Sequence, residues 1–327
     1  MTMTPFLNSD RLAEHRRRNR LQSLLLVGGM SLIVMAASAL IWSWSGALVP
    51  GLFVTVLGLL GPRVPPEAVM RLYNGVPVDA RHGAELHRLM EVLADRAELE
   101  RHPRLYVIPS TTLNAFAAGS RSNAAVGITE GLLRRLDLRQ IAGVIAHEMS
   151  HIRNNDLHVM AMADALTRFT QILAYFGLLL GFMNLPLMMM GFETFSWLAI
   201  LLLYLAPTLS SLLQMGLSRT REYDADLEAA GLTGDPAGLA SALGALERYQ
   251  GRFWEDLMLP VPARRIPYPS MLRSHPDTAD RIARLRELEG RSSQARPIAI
   301  GDGPLFTLVG HGPSGMAPRH RALGLWY

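Results

Sequence analysis

The stretch IAGVIAHEMSHIRNND, residues 141–156, contains two histidines four positions apart and a glutamate directly after the first histidine. On a helix, positions four apart lie on one face, so His147 and His151 would direct their imidazoles toward one point. Glu148 lies one residue further round the helix, within reach of a water molecule on a metal but outside the ligand set. The stretch therefore predicts a metal site with two nitrogen ligands and a general base.

The residues before this stretch predict a mainly α-helical protein with a small β-sheet. Asp137 and Gln140 have the spacing of a capping box, and apolar residues recur after them at helical period. The short segments 104–109, 113–118 and 123–128 are predicted strands that precede the helix.

A third metal ligand is needed, because zinc in a hydrolase takes three protein ligands and leaves one position open. A metzincin site would need Gly and His where this chain has Asn154 and Leu157, so that option fails. The later stretch SRTREYDADLEAAG (218–231) places Glu222 and Asp226 four apart on one helical face. Glu222 would bind the metal, and Asp226 would accept a hydrogen bond from a ligating histidine. HExxH with a later ExxxD is a gluzincin-like arrangement.

Composition favours membrane-embedded segments. The apolar share of 49% and the mean hydropathy of +0.17 are high for a soluble enzyme of 327 residues. The absence of cysteine excludes disulfides and thiolate metal sites. All 32 basic residues are arginine, and their densest cluster, Arg11–Arg20, directly precedes an apolar run. Because such a flank is a topology signal, we expect no nucleic-acid partner despite the formal charge of +4.

Two pairs of charge-free runs predict about four transmembrane helices in the lipid bilayer. The first pair lies between Leu21 and Pro62, about twice the roughly twenty residues that one span needs. We divide it into crossings near 22–42 and 47–61. The second pair covers Phe169–Phe192 and Thr194–Ser218, each too long for an ordinary buried hairpin of a soluble core.

The limits of these runs leave alternatives. Residues 37–39 (Ala-Ser-Ala) resemble a signal-peptide cleavage site, but the apolar run continues well past them, so we expect an anchor. In the second pair, Asn184 and Pro186 predict an early helix end that leaves residues 184–195 as a loop.

Arginines set the expected orientation. They flank the predicted spans on one side, whereas the short connections 43–46 and 184–195 carry none. By the positive-inside rule, both termini and the central domain face the cytoplasm. The histidines precede the second pair of spans and Glu222 follows it. Two crossings return the chain to the same side, so the three ligands can meet near the membrane surface.

Residues 20–290 resemble the HtpX-type membrane metalloproteases, which are grouped with the CAAX prenyl proteases. HEMSHIRNND and SRTREYDAD match the two metal-binding motifs of that family. The resemblance implies one zinc ion per chain, bound by His147, His151 and Glu222, and it implies Glu148 as the catalytic base. It also implies a multi-pass location in a bacterial inner membrane.

Two further blocks match the family. LNAFAAGS (113–120) is similar to its substrate-facing strand, which implies that Asn114 contacts the peptide backbone. An exposed strand edge can pair with an extended peptide. His275 and Arg281 have the spacing of the family's HP motif and downstream arginine, which implies a place near the active site where cationic donors could stabilise an oxyanion. The alternative for this block is a plain helix start, since Pro276 lies in the first turn of a helix predicted over 274–290.

The resemblance implies hydrolysis of peptide bonds in membrane or misfolded polypeptides under stress. A CAAX-type prenyl-protein protease is the related alternative, disfavoured because those enzymes have more spans. A membrane scaffold or transporter with a vestigial metal site is the unrelated alternative, disfavoured because the spans lack charged groups.

The expected domain organisation alternates membrane and protease segments. A basic tail (1–20) and a transmembrane hairpin (21–62) precede the first protease segment (63–168), which holds the edge strand and the HExxH helix. A second hairpin (169–217) then leads to the second protease segment (218–290), which holds Glu222 and the HP block. A flexible tail (291–327) follows.

Overall fold

The computed structural model describes residues 65–79, 83–192, 195–257 and 278–289, together with Ile298 and separate residues between Arg17 and Val56. Within these ranges the helices are α1 (Pro66–Leu72), α2 (Ala84–Arg96), α3 (Glu130–Arg135), α4 (Leu138–Asn154), α5 (Asp156–Met189), α6 (Trp197–Thr233), α7 (Pro236–Leu257) and α8 (Thr278–Glu289). The strands are β1 (Val76–Pro77), β2 (Arg104–Ile108), β3 (Ala115–Ser120) and β4 (Asn123–Thr129).

The four strands form one mixed sheet in the order β1-β2-β4-β3. β2 runs parallel to β4, whereas β1 and β3 pair antiparallel with their neighbours. Val126 in the middle of β4 lies opposite Leu105 on one side and Ala117 on the other. β4 is buried along almost its whole length, as expected of a central strand made of small and branched residues. The three predicted strands are confirmed, and the two-residue β1 was not predicted.

Within the described sheet, β3 is the edge strand on the side where α4 packs. Its inner face joins α1 in a small core of Met70, Ile108, Phe116, Ala118 and Ala125. Burying such side chains contributes roughly 1.5–3 kcal/mol for each large one. This core holds β3 in place beside α4.

The helix α4 begins and ends at well-defined caps. Asp137 accepts a hydrogen bond from the Gln140 N–H at 2.7 Å, and the Gln140 side chain accepts one from the Asp137 N–H at 3.1 Å, which confirms the predicted capping box. At the other end, Asn155 adopts a left-handed conformation with φ 58°, which Asn tolerates better than most residues. Its N–H donates to the carbonyl oxygens of His151 and Ile152. The chain therefore turns at Asn155, four residues after the second histidine.

Close packing against α7 holds α4 in place. A Cβ atom at Gly143 would lie 2.8 Å from the backbone of Leu239, so only glycine allows the two helices to approach this closely. α7 packs in turn against α8. The helix predicted over 274–290 is observed as α8; its predicted first turn with Pro276 lies outside the described residues.

The helices α5 and α6 are long and apolar enough to cross a membrane, with a mean hydropathy of 1.8 over an 18-residue window of each. The prediction that Asn184 and Pro186 end the first helix early is wrong, because α5 continues to Met189. Asn184 is fully buried, and its side chain bonds both the N–H and the carbonyl of Phe195 at 2.8 and 2.9 Å. It joins the two helices instead of ending one.

The chain forms two compact units. Of the described residues, those within 65–155 and 223–298 form one unit, and those within 17–56 and 156–222 form the other. The helix α6 belongs to both, since it continues without interruption past Glu222. In the second unit, a shorter apolar helix, Val27–Ala36, contributes Val27 and Val34 to a core with Met162 and Ala163.

Candidate metal centre

The two histidines of α4 converge as their spacing predicts. The Nε2 atoms of His147 and His151 lie 3.2 Å apart, and the rings meet edge to face with centroids 4.7 Å apart. Each of the two residues is only 3% exposed. Tetrahedral zinc with ligand distances of about 2.0–2.1 Å separates neighbouring nitrogens by roughly 3.3 Å. The observed spacing fits one shared metal ion.

Glu222 of α6 completes the set. Ligand atoms of His147, His151 and Glu222 all lie within 4.8 Å of one another, and Glu222 is 1% exposed. Two imidazole nitrogens and a carboxylate oxygen are the donor set of a catalytic zinc site with three protein ligands. The residues present therefore fit a divalent metal, and zinc in particular.

Asp226 supports one of the histidines. Its Oδ1 lies 3.0 Å from Nδ1 of His147, which favours the tautomer with the proton on Nδ1 and leaves the Nε2 lone pair pointing into the cluster. Arg281 of α8 donates to both oxygens of Asp226, from Nε at 2.7 Å and from Nη2 at 2.6 Å. All three groups are buried. The result is a chain of contacts from Arg281 through Asp226 to His147.

Electrostatics keep Asp226 ionised. Burial alone would raise the pKa of its carboxyl, but hydrogen bonds from Arg281 and His147 outweigh that effect and hold the pKa below its usual range. Asp226 lies beyond the charge-free stretch of α6, where the helix is surrounded by protein. A charged acceptor here strengthens its hold on His147.

Glu148 is held against the edge strand. Its side chain is 1% exposed, and Oε2 accepts a hydrogen bond from the backbone N–H of Ala117 at 2.9 Å. Asn114 exchanges backbone and hydroxyl hydrogen bonds with Thr129, so its backbone groups face β4. By the alternation of a strand, the backbone groups of Ala117 face the opposite way, toward α4. The base and the outer side of β3 are therefore neighbours.

The predicted site residues fall into three groups. His147, His151 and Glu222 form the cluster, with Asp226 and Arg281 attached to it and Glu148 beside it on α4. Asn114 lies just before β3, where none of the described residues makes a hydrogen bond to its side-chain amide. His275 lies outside the described residues.

Two buried polar groupings near the cluster were not predicted. One is the ion pair of Arg221 with Asp156. The other centres on Glu228, whose Oε2 accepts from Ser150 and from Asn154, each at 2.7 Å, and whose Oε1 lies 3.2 Å from Nη1 of Arg153. The run of polar residues after HEMSH could have predicted such groupings, because a polar side chain on a buried helix needs a hydrogen-bonding or charged partner.

Comparisons with known proteins point to one family. The model of Peptidase family M48 matches residues 80–289. The Protease HtpX homolog of Acaryochloris marina is 35% identical over 86% of this chain and 99% of its own length. The homolog of Pseudarthrobacter chlorophenolicus is 33% identical over 86% and 100%. The solved structure of S. mikatae Ste24p matches 82% of this chain and 64% of its own, with 21% identity and a TM-score of 0.48.

Proposed function

Because the chain belongs to Peptidase family M48 and is thus a membrane-bound metalloprotease, we propose that its metal is zinc, held by His147, His151 and Glu222. The buried cluster of these three ligands within 4.8 Å of one another is the observation that carries the proposal. Because the members of the family are metallopeptidases, the proposed reaction is hydrolysis of an internal peptide bond. The three protein ligands are the number that one catalytic zinc ion needs, so we expect one zinc ion per chain.

The residues around the cluster take distinct roles. Zinc, when bound, supplies Lewis acidity to the scissile carbonyl and to the attacking water. Glu148 takes the proton of that water and passes it to the leaving amine, which its place next to His147 on α4 allows. Asp226 orients His147, and Arg281 keeps Asp226 charged. The predicted oxyanion role fits Arg281 less well, because its Nε and Nη2 both donate to Asp226. For His275 the role stays a prediction.

Polypeptide substrates would pair with β3. The edge strand lies next to Glu148, and the backbone groups of Ala115, Ala117 and Gly119 point away from β4. The Ala117 N–H donates to Glu148, so a bound peptide would pair with the other outward groups or replace that contact. An extended peptide added there presents its scissile bond in one conformation. Asn114, directly before the strand, is proposed to contact the peptide backbone, as the family resemblance implies. Membrane proteins and misfolded polypeptides are the proposed substrates, since Glu222 lies on α6 only a few residues beyond its charge-free stretch.

The Glu148→Gln variant tests the chemistry. Full-length protein in detergent would be incubated with an unfolded protein substrate, with and without chelator, and after zinc is restored. We expect Glu148→Gln to keep its zinc by elemental analysis and to lose activity by about 10²–10⁴-fold, because the base is lost while the ligands remain. Activity within tenfold of the wild type would contradict the role of Glu148. Chelator-insensitive cleavage by the wild type would contradict the metal itself.

We propose further that the chain crosses a bacterial inner membrane four times with its catalytic segments and both termini in the cytoplasm. The charge-free runs, the arginine flanks and the two apolar helices support this arrangement. Reporter fusions after residue 66 and at the C-terminus should report cytoplasm, and one near Glu193 should report the outside. A fusion after residue 66 that reports the outside would mean that the first run crosses once or is cleaved.

A further inference from the structure

A buried ion pair lies at the start of α5. Nη1 of Arg221 donates to Oδ1 of Asp156 at 2.7 Å, and both side chains are 2% exposed. Burying two charges costs several kcal/mol in desolvation, and apolar residues of similar volume often stabilise a fold as well or better. Stabilisation of the fold is therefore a weak explanation for this ion pair. Its position near the proposed metal ligands suggests a functional role instead.

Each member of the pair is next to the proposed metal site along the chain. Arg221 directly precedes Glu222. Asp156 directly follows Asn155, whose left-handed turn returns its N–H to the carbonyl of His151. A path of a few bonded groups thus runs from the second histidine through the ion pair to the glutamate.

The other side of Glu222 has its own attachment. Asp226, one helical turn later, contacts His147. Arg221 and Asp226 are five residues apart, which corresponds to a rise of about 7.5 Å. A single attachment lets a helix rotate or slide about that point, whereas attachments on both sides of a residue fix both motions. Metal ligands need this, since distances must hold to about 0.2 Å.

We propose that the Asp156–Arg221 ion pair positions the Glu222 carboxylate for metal binding, as the counterpart of Asp226 on the opposite side of that ligand. This inference rests on the proposed metal site. Neither Asp156 nor Arg221 touches substrate or metal in this role; both act through Glu222. The pair sets the metal affinity and the coordination geometry, and it influences hydrolysis only through them.

The test measures metal binding by purified full-length protein in detergent. Cobalt(II) would replace zinc so that its absorption spectrum reports coordination, and chelator competition would give the affinity. We expect Arg221→Gln and the isosteric Asp156→Asn to lower the affinity about 10–100-fold, the range seen when groups that support metal ligands are lost. Both variants should alter the cobalt spectrum. Arg221→Lys, which keeps the charge, should recover most of the affinity.

The matched control is Glu228→Gln. Glu228 is buried on the same helix and pairs with Arg153 of α4, but it lies six residues beyond Glu222. We expect this variant to unfold at a lower temperature and to bind cobalt within about threefold of the wild type. Wild-type affinity in folded Arg221→Gln or Asp156→Asn, or an equal loss in Glu228→Gln, would overturn the inference. Wild-type protein that binds no cobalt would instead overturn the metal site on which it rests.

Discussion

The helices α4 and α6 both carry proposed metal ligands, yet they are built in opposite ways. α4 has 17 residues, and every one from Ile141 to Arg153 is buried. α6 has 37 residues, and its first two thirds expose large apolar side chains such as Leu201 and Leu212, which are 51% and 59% exposed. Only its last stretch, from Arg221 onward, is mostly buried.

The difference between α6 and α4 reflects their surroundings, which are bilayer hydrocarbon for most of α6 and protein for α4. Exposed leucines on α6 would be unfavourable in water but suit the hydrocarbon of a bilayer, where every backbone polar group must be satisfied inside the helix. α4 instead buries its polar groups within protein, so each must find a partner there. Glu222 lies where α6 changes from the first regime to the second. The proposed metal site therefore lies where α6 passes from exposed apolar surroundings to buried polar ones. Substitutions on the exposed side and on the buried side of Glu222 should have unequal effects.

The largest effect is expected from Glu222→Ala. Removing the third ligand leaves two imidazoles, which hold zinc weakly, so bound zinc and proteolysis should both fall to background. Elemental analysis after dialysis and a cleavage assay would measure the two quantities. The control is Leu227→Ala on the same helix, where the side chain is 40% exposed; it should keep zinc and activity. Full zinc occupancy in Glu222→Ala would require a different third ligand.

A smaller loss is expected from Asp226→Ala. The ligands remain, but His147 loses the acceptor that fixes its tautomer and ring direction, so zinc affinity should fall by about 10–100-fold. Chelator competition would measure it, and excess zinc should restore some of the activity. Zinc release as slow as in the wild type would show that the contact at 3.0 Å does not support the ligand.

Much of α4 and of the ligand set follows from local pattern. The capping box, the pair of histidines four apart and the ExxxD spacing each lie within a few residues, so helical geometry alone places the side chains. Glu222 needed one further argument, the return of the chain after two crossings. The strands at 104–108 and 123–129 were likewise visible as short apolar segments with turns between them.

The wrong prediction and the features that were not predicted all involve residues whose partners are far apart in sequence. Pro186 lies inside α5 although proline lacks the N–H that would bond the preceding turn, and Asn184 is bonded to Phe195 across the hairpin. Asp156 and Arg221 are 65 residues apart, and no local rule pairs them. The short β1 depends on pairing with β2 and has little apolar pattern of its own.

The smallest effect is expected at the start of α4, far from the ligands. Asp137→Ala removes the acceptor for the Gln140 N–H and should cost about 1 kcal/mol. Amide exchange in the first turn of α4 should then be roughly fivefold faster, which hydrogen exchange with mass spectrometry would detect.

Zinc affinity should not change in Asp137→Ala, because His147 lies ten residues further, about 15 Å along the helix, and α7 holds α4 between the two points. Asp137→Asn is the matched control: asparagine caps a helix as well as aspartate, so exchange should stay near the wild-type rate. Equal damage in both variants would mean that the charge of Asp137, rather than its cap, stabilises the helix. A fall in zinc affinity with Asp137→Ala would mean that α4 transmits local fraying to its ligands, and the contrast with α6, whose ligand depends on contacts within one turn of it, would no longer hold.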